Sequence, residues 1–493
     1  MLSVVEKTRL CVSQNTDAKK KSLLGQFLTP ERIATFMAGL FPDSYEPCRL
    51  LDAGAGIGSL SAAFLERWHS GALNFKSVEL DAYEIDKTLH PHLVQTLGKY
   101  RDNSNLFINI IENDFVLAAT DSISNGLFSQ KLEFYTHAIL NPPYKKINSR
   151  SAHRLALRGA GIETVNLYSA FVALAVALAV PGGQIVAIIP RSFCNGPYYR
   201  PFRNFVFQRA VIRHMHLFES RNKAFKDDDV LQENIIIRLE RAGQQGPIMV
   251  STSTDDSFSD FEIHEHQFDQ IVLPGDSEQF IHVPTIPEQS LKRCSVIRHS
   301  LSDIGINVST GPVIDFRLQE HLRNMPEPGT VPLLYPGHFS SSGTIWPQPE
   351  IKKPNAIQRN SETEKWLYPN GFYCVVRRFS SKEERHRVVA GVVDPHLFDG
   401  MAVLGFENHL NVFHVNRSSL PEALAHGLAM FLNSTIVDEN FRRFSGHTQV
   451  NATDLKQMKY PSRANLIELG EWAMKQAELT QLLIDEKLET LIE

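Results

Sequence analysis

Cysteine is scarce in this sequence, with five residues in a chain of 493. None of them belongs to a C-x-x-C pair, so their spacing predicts neither a structural zinc site nor a disulfide framework. We therefore predict no metal site. Scattered single cysteines are typical of proteins from a reducing compartment, and we expect a cytoplasmic location.

The sequence also lacks a long apolar run and a strong excess of charge of either sign. The longest apolar run of the first half, residues 170–180, is too short to span a bilayer and predicts a core helix. The basic residues 19–21 are not followed by the apolar stretch of a signal peptide. A net charge of −5 gives no general attraction to nucleic acid, so any such contact needs a local basic face. We expect a globular protein of two or three domains and no membrane partner.

One short segment, Asn141-Pro142-Pro143-Tyr144, directly follows an apolar strand pattern. Consecutive prolines fix φ and keep the residues before them extended. The segment therefore forms a rigid loop that offers oxygen acceptors and one aromatic face. Such a loop suits a planar ring with an exocyclic amino group, such as adenine or cytosine. An ordinary proline-rich turn is the alternative interpretation.

A glycine-rich turn lies upstream, between a strand pattern that starts at Arg49 and a helical pattern that includes Leu60. Gly54 and Gly56 let backbone N–H groups approach a ligand closely. Asp52 ends the strand just before the turn, which favours a cationic ligand such as the amino-acid part of S-adenosylmethionine over a pyrophosphate. The turn lacks the third glycine of the G-x-G-x-x-G pattern, which argues against a nicotinamide-dependent enzyme.

Carboxylates also follow the next two strand patterns. Glu84 ends the second pattern and can hold both ribose hydroxyls, with Glu79 and Asp81 as rival candidates earlier on that strand. Asp114 ends the third pattern, where it can accept a hydrogen bond from an adenine amino group while Phe115 packs on the ring. Three acidic strand ends around one glycine-rich turn predict a binding site for S-adenosylmethionine.

These segments occur in an order that resembles a known family. The chain is similar to the amino-group DNA methyltransferases that act on adenine N6, in their gamma arrangement, with the cofactor motifs first and the catalytic loop next. Further matching segments are residues 25–30, 166–171 and 181–190. The cofactor-binding residues that we predict are Thr29, Pro30, Asp52, Gly54, Gly56, Glu84, Ile85, Asp114 and Phe115.

The resemblance implies a catalytic role for the loop Asn141, Pro142, Pro143 and Tyr144. The side-chain oxygen of Asn141 and the carbonyl of Pro142 would accept both N6–H bonds, which localises the nitrogen lone pair for in-line attack on the sulfonium methyl group. A duplex base reaches such a pocket only after it is flipped out. The base would then stack between Tyr144 and Tyr199, with Tyr198 and Phe202 as alternatives to Tyr199.

The C-terminal half resembles a narrower group, the BsuBI/PstI-type modification methylases of type II restriction-modification systems. The resemblance rests on residues 309–317, 377–385 and 444–455. It implies double-stranded DNA as the substrate, CTGCAG as the site, and a separately encoded restriction endonuclease as a candidate partner. The alternatives are a DNA methylase without a nuclease partner, or a methyltransferase acting on RNA adenine or protein glutamine. Neither of the last two needs a basic C-terminal half of this length.

Two basic segments, residues 371–390 and 440–460, each have a charge balance of +3, and the second also contains amide side chains between its cations. Arg and Lys suit phosphates, whereas Gln and Asn suit base edges in the major groove. The residues that we predict to contact DNA are Arg377, Arg378, Arg442, Arg443, His447, Gln449 and Asn451. We expect residues 441–454 to be the centre of sequence recognition, and a solvated charged face is the alternative.

Strand and helix patterns alternate from Arg49 to about Leu239, which predicts an α/β fold with a doubly wound, Rossmann-like sheet. We place this methyltransferase domain at residues 1–245 and an α+β target-recognition domain at residues 246–493, with a Gly- and Pro-containing turn between them. Helical periodicity over residues 464–493 predicts one amphipathic helix packed on its own domain.

Overall fold

The fold is that of a computed structural model, which describes residues 2–15, 27–44, 46–124, 135–218, 233–283, 297–340, 343–380, 384–398, 400–444, 449–476 and 478–492. The chain divides into two compact units, Met1–Val283 and Pro284–Glu493. No helix in these ranges is long and apolar enough to cross a membrane.

The first unit is built on a nine-stranded sheet with the order β3-β2-β1-β4-β5-β7-β6-β8-β9. Its strands are β1 (Cys48–Ala53), β2 (Val78–Tyr83), β3 (Leu106–Ile111), β4 (Tyr135–Leu140), β5 (Ala179–Pro190), β6 (Ala210–Phe218), β7 (Asn234–Arg241), β8 (Ile248–Ser253) and β9 (Glu262–His266). The first five strands are parallel, whereas β7 is antiparallel to both of its neighbours. Because parallel strands end at the same edge of a sheet, the segments that follow β1, β2, β3 and β4 meet there.

Helices cover both faces of this sheet. They are α1 (Leu2–Asn15), α2 (Glu31–Gly39), α3 (Ser59–His69), α4 (His90–Gly98), α5 (Phe115–Ser124), α6 (Ala152–Gly159), α7 (Leu167–Leu178), α8 (Arg200–Phe207) and α9 (Phe268–Ile271). Side chains of β4 alternate between two apolar cores, since Ala138 and Leu140 enter one core and Ile139 enters the other. The predicted doubly wound, Rossmann-like fold is confirmed, and the apolar run at residues 170–180 lies mostly in the core helix α7.

The first unit extends beyond the boundary that we predicted between residues 245 and 246. Strand β8 pairs in parallel with β6, and β9 continues the sheet in the antiparallel sense. Farther along the chain, the buried Arg203 guanidinium of α8 donates to the backbone carbonyl of Glu278 at 2.9 and 2.8 Å. The Gly/Pro-containing turn at residues 242–247 is therefore a connection within one sheet, and the first unit ends at Val283.

The second unit is α+β, as predicted. A four-stranded sheet has the order β10-β20-β17-β18, a five-stranded sheet has the order β11-β15-β12-β19-β16, and β13 pairs with β14. The strands are β10 (Asn307–Thr310), β11 (Leu322–Arg323), β12 (Thr330–Leu334), β13 (Phe339–Ser340), β14 (Gly343–Thr344), β15 (Ala356–Gln358), β16 (Leu367–Pro369), β17 (Tyr373–Arg377), β18 (Ala390–Val393), β19 (Val403–Phe406) and β20 (Leu410–His414). The α-helices are α10 (Glu422–Leu432), α11 (Thr435–Phe444), α12 (Ala452–Gln457), α13 (Arg463–Ala473) and α14 (Gln481–Ile492).

The C-terminal segment forms two helices, α13 and α14, so the prediction of one continuous helix is wrong. Its apolar residues Leu466, Leu469 and Leu488 are buried in the core of the second unit, which confirms the expected packing. Helix α13 packs closely on α10, where a Cβ on Gly470 would lie 1.7 Å from the Ala423 carbonyl oxygen. The break after α13 lets α14 return to the same core and bury Leu488.

Candidate active site

A cleft opens at the edge of the first sheet where the segments after β1, β2, β3 and β4 meet. Its lining residues are Phe27, Leu28, Gly54, Gly56, Tyr83, Glu84, Ile85, Leu89, Asn113, Asp114, Phe115, Val116, Asn141, Pro143, Lys145, His153, Leu167 and Phe171. The structure thus brings six predicted cofactor residues together with the loop at Asn141. The other three, Thr29, Pro30 and Asp52, lie behind this lining and are buried.

The Asn141 side chain is held by its amide nitrogen. Its Nδ2 donates to the Phe27 carbonyl at 2.8 Å and to the Thr29 hydroxyl oxygen at 2.9 Å. The carbonyl can only accept, so this pairing fixes the orientation of the amide and leaves Oδ1 as the free acceptor. Oδ1 is buried, and no described residue donates to it. A buried acceptor without a partner costs about 1–3 kcal/mol, which a ligand amino group would relieve.

Thr29 and Pro30 have roles that sequence reasoning did not anticipate. Thr29 is 4% exposed and supports the Asn141 amide, so it helps to position the loop at Asn141. Pro30 stands directly before α2 and accepts the first helical hydrogen bond from Ala34 at 2.9 Å. A direct contact of either residue with the cofactor stays a prediction.

The glycine-rich turn at Gly54–Gly56 packs closely against Leu28 and the end of β2. Gly54 and Gly56 have φ values of +79° and +58°, a region that side chains rarely adopt. A Cβ on Gly56 would lie 3.0 Å from the Leu28 side chain. The backbone N–H groups of Gly54 and Ala55 both donate to the Tyr83 carbonyl, at 2.9 and 2.8 Å, which fixes the turn against the end of β2.

Glu84 lines the cleft and is 4% exposed. One carboxylate oxygen accepts from the Gly56 N–H at 2.8 Å and the other from the Asp86 N–H at 2.7 Å. Burial raises the pKa of Glu84, although these two backbone hydrogen bonds oppose the shift. Each oxygen keeps a lone pair for a further donor such as a ribose hydroxyl.

The two rival acids of β2 are engaged elsewhere. Asp81 accepts from the Asn109 amide at 2.8 Å and from the Tyr135 hydroxyl at 2.7 Å, and Glu79 lies 3.4 Å from the Arg49 guanidinium. Neither acid lines the cleft. Their positions favour Glu84 as the ribose-binding residue.

Asp52 is fully buried beneath the turn. Its Oδ2 accepts from the Ser61 hydroxyl at 2.5 Å, which ties the turn to α3. Burial raises the pKa of Asp52 to about 7, against the opposing effect of the Ser61 hydrogen bond. Its Oδ1 is also buried, and none of the described residues donates to it.

Asp114 has a partner that the sequence did not reveal, His153 on α6. Asp114 Oδ2 accepts from His153 Nε2 at 2.7 Å, and Oδ1 accepts from the Leu117 N–H at 3.1 Å. Burial raises the pKa of Asp114, but these hydrogen bonds outweigh it and the pKa is lowered on balance. The hydrogen bond to Asp114 raises the pKa of His153 above its usual 6.5.

The Asp114–His153 pair predicts a pH dependence of stability. A raised histidine pKa contributes stability below about 6.5 that is lost as the pH rises through the raised value, whereas the lowered Asp114 pKa affects stability only in acid. We expect the melting temperature of the wild type to exceed that of His153→Gln most at pH 5.5–6.5, with a gap that narrows toward pH 8.5. Thermal unfolding across this range is the measurement, and a gap that does not change with pH would contradict the pairing.

Tyr144 is held next to the loop by its hydroxyl and its ring. The hydroxyl donates to the Ile188 carbonyl at 3.2 Å, and burial raises the tyrosine pKa strongly. Its ring centroid lies 5.5 Å from that of Phe27 and 6.2 Å from that of Tyr168. Pro142 is buried and Pro143 lines the cleft. The hydrogen bonds of Asn141 and Tyr144 hold the loop on both sides of these prolines.

The three candidates for the second stacking aromatic differ in their surroundings. Phe202 is 2% exposed and packs in the core, so it has no free face to offer a base. Tyr198 is 75% exposed. Tyr199 is half-buried, with its ring centroid 5.7 Å from that of Tyr168 and its hydroxyl accepting a hydrogen bond from the Asn166 amide. Tyr144, Tyr168 and Tyr199 thus form one series of neighbouring rings.

In the second unit, the two basic segments lie side by side. The Val450 N–H donates to the Arg378 carbonyl at 2.7 Å, and Phe379 forms an isolated antiparallel bridge with Gln449. The Arg442 guanidinium donates to the Glu384 carbonyl at 2.9 Å. Residues predicted separately from two distant stretches therefore belong to one region.

Several predicted DNA-binding side chains have internal partners. Arg442 Nε donates to Asp438 at 2.6 Å, and Arg377 pairs with Glu384. Asn451 is the N-cap of α12, and its N–H donates to Asp454 at 2.8 Å. The Arg378 guanidinium donates to the Asn408 carbonyl at 3.3 Å. DNA contact by these residues stays a prediction. His447 and the Arg443 side chain lie outside the described residues.

Comparison with known proteins gives a consistent result. Residues 20–225 match the family model described as Eco57I restriction-modification methylase. The chain is 53% identical over 497 aligned positions to "Type II methyltransferase M.BsuBI" of Bacillus subtilis, covering 100% of this chain and 98% of that protein. It is 40% identical to "Type II methyltransferase M.PstI" of Providencia stuartii, over 95% of this chain and 94% of that protein. A cryoEM structure of a DrdV–DNA complex is similar with a TM-score of 0.49 and 11% identity, over 95% of this chain and 59% of that one.

Proposed function

The chain belongs to the type II methyltransferases of restriction-modification systems, and we propose that it transfers the methyl group of S-adenosylmethionine to N6 of a flipped adenine in double-stranded DNA. The observation that carries this proposal is the Asn141 amide, whose nitrogen is held by two acceptors and whose buried oxygen is left open. An acceptor oriented in advance is what an amino-group substrate needs. We also propose CTGCAG as the site and a separately encoded endonuclease as the partner.

The cleft suits S-adenosylmethionine, the cofactor of this family. Asp52 does not line the cleft, so its charge would act on the cationic amino-acid end from beneath the turn. Gly54 lacks the Cβ that would narrow the space beside Phe171. The Glu84 carboxylate would hold the ribose hydroxyls, with Asp114 at the adenine amino group. The exposed side chain of Ile85 and the ring of Phe115 line the same cleft and would pack on the adenine. When bound, the cofactor supplies an electrophilic methyl group.

The chain's own residues would activate the nucleophile by geometry. Asn141 Oδ1 and the Pro142 carbonyl would accept the two N6–H bonds, which turns the nitrogen lone pair out of conjugation with the ring. The N–C bond then forms as the S–C bond breaks, and the surplus proton leaves N6 for solvent. Proximity supplies much of the rate gain in such a site. Tyr144 and Tyr199 would hold the flipped base by stacking.

Incubation with labelled S-adenosylmethionine and duplex DNA tests this function. We expect the label in N6-methyladenine after nucleoside digestion, and we expect a duplex containing CTGCAG to be labelled in preference to one whose target adenine is replaced. Label in cytosine, or no label in any DNA, would overturn the proposal. N6-methyladenine within a different sequence would discard the site and keep the chemistry.

A further inference from the structure

The second unit contains a fully buried carboxylate whose described side-chain partner is an exposed residue. Glu407 is 0% exposed, and its Oε1 lies 2.6 Å from His409 Nδ1. Its Oε2 accepts from the backbone N–H of the same His409 at 2.9 Å. The His409 side chain itself is 41% exposed. Burying a carboxylate is costly unless it is paired, and here the pairing fixes the orientation of one surface imidazole.

This arrangement determines which nitrogen of His409 faces outward. The carboxylate engages Nδ1, so Nε2 is the nitrogen left for a ligand. Nε2 accepts a hydrogen bond when the ring is neutral and donates one when the ring is protonated. No described residue forms a hydrogen bond with Nε2. A surface hydrogen-bonding group with a fixed direction is suited to recognition, because little conformational entropy remains to be lost on binding.

His409 lies at the junction of the two basic segments. The Arg378 N–H donates to its carbonyl at 2.8 Å. The ring of Phe379 is 40% exposed, with its centroid 5.1 Å from that of His409. Phe379 is also the residue that bridges to Gln449. The exposed His409 and Phe379 rings thus adjoin the cations that we predicted to contact phosphates.

We propose that His409 and Phe379 read base pairs of the DNA target, with Glu407 as the residue that positions His409. The inference rests on the proposed function. His409 Nε2 would form a hydrogen bond with a base edge in the major groove, and Phe379 would make an apolar contact beside it, as with a thymine methyl group. Asn451, which we predicted for base reading, already caps α12. Because the Asn451 side chain is used in that cap and His409 Nε2 is not engaged, His409 is better placed to contact a base.

The experiment measures kcat/KM for the target duplex and for duplexes in which each base pair is replaced in turn. For His409→Ala we expect the preference at one base pair to fall roughly 5- to 150-fold, the range of one base contact, with the salt dependence of binding unchanged. Phe379→Ala should reduce discrimination at the same or the adjacent pair. His396→Ala is the matched control, because His396 is an exposed histidine of the same unit.

The variant Glu407→Gln tests whether Glu407 positions His409 or only stabilises the fold of the second unit. It should weaken discrimination at the same base pair as His409→Ala, and the double variant should lose little more than His409→Ala alone. A general fall in activity toward all duplexes, without a change in preference, would overturn the positioning role. If the wild type methylates DNA and His409→Ala keeps full discrimination at every pair, the inference fails alone. If the wild type methylates no DNA, the proposed function itself fails.

Discussion

Asn141→Ala should abolish methyl transfer while DNA and S-adenosylmethionine still bind with nearly unchanged affinity. The open Oδ1 would act on N6 mainly as the transition state forms, so kcat should fall far more than KM rises. Removal of a comparable preorganised group in other enzymes costs about 100- to 1,000-fold in kcat. Single-turnover methylation and calorimetric titration of the cofactor are the two measurements. A variant with near-wild-type turnover would contradict the catalytic role.

Thr29 provides a matched pair of controls for the same site. Thr29→Ser keeps the hydroxyl that accepts from the Asn141 amide, and Thr29→Val removes it at similar volume. If Thr29 positions Asn141, Thr29→Val should lower kcat at constant cofactor affinity while Thr29→Ser stays close to the wild type. A weaker cofactor affinity with unchanged kcat would instead support the direct cofactor contact that the sequence predicted.

The strands around the cleft could be predicted because they are short and each leads into a polar residue or a glycine-rich turn. The strand pattern that leads to Glu84 matches β2 (Val78–Tyr83), and the apolar pattern before Asn141 matches the mostly buried β4. The last two strands of the sheet could not be placed. Strand β8 is short and follows a turn with the composition of a linker, and its partner β6 lies some 35 residues earlier in the sequence.

The site residues also fall into those that local sequence could predict and those that it could not. The acids at strand ends could be read locally, since each lies at or just after the end of its own strand. The hydrogen bonds from Asn141 to Thr29 and from His153 to Asp114 join residues far apart in the sequence, and no periodicity encodes them. Local sequence patterns could have indicated that Asn451 and Arg442 have partners within the protein. Asn451 and Asp454 have the spacing of a capping box, and Asp438 and Arg442 have the i, i+4 spacing of a helical ion pair.

Loss of the Glu84 side chain should have the largest effect on cofactor affinity. A carboxylate that accepts two ribose hydroxyls is a charged acceptor, and its removal in Glu84→Ala should cost roughly 2–3 kcal/mol or more, about 30- to 150-fold in Kd. The same carboxylate holds the Gly56 and Asp86 N–H groups, so part of this loss would come from a looser glycine-rich turn. Calorimetric titration with S-adenosylmethionine gives the Kd directly.

Two further variants divide that loss between the ribose and the turn. Glu84→Gln keeps one acceptor oxygen and the approximate volume, so it should retain part of the affinity if the ribose contact dominates. Glu79→Ala is the matched control on the same strand, since Glu79 is outside the cleft lining and pairs with Arg49. It should leave the Kd unchanged. If instead Glu84→Ala binds normally and Glu79→Ala or Asp81→Ala binds weakly, the ribose is held by the earlier acid of β2, and Glu84 serves only to hold the turn.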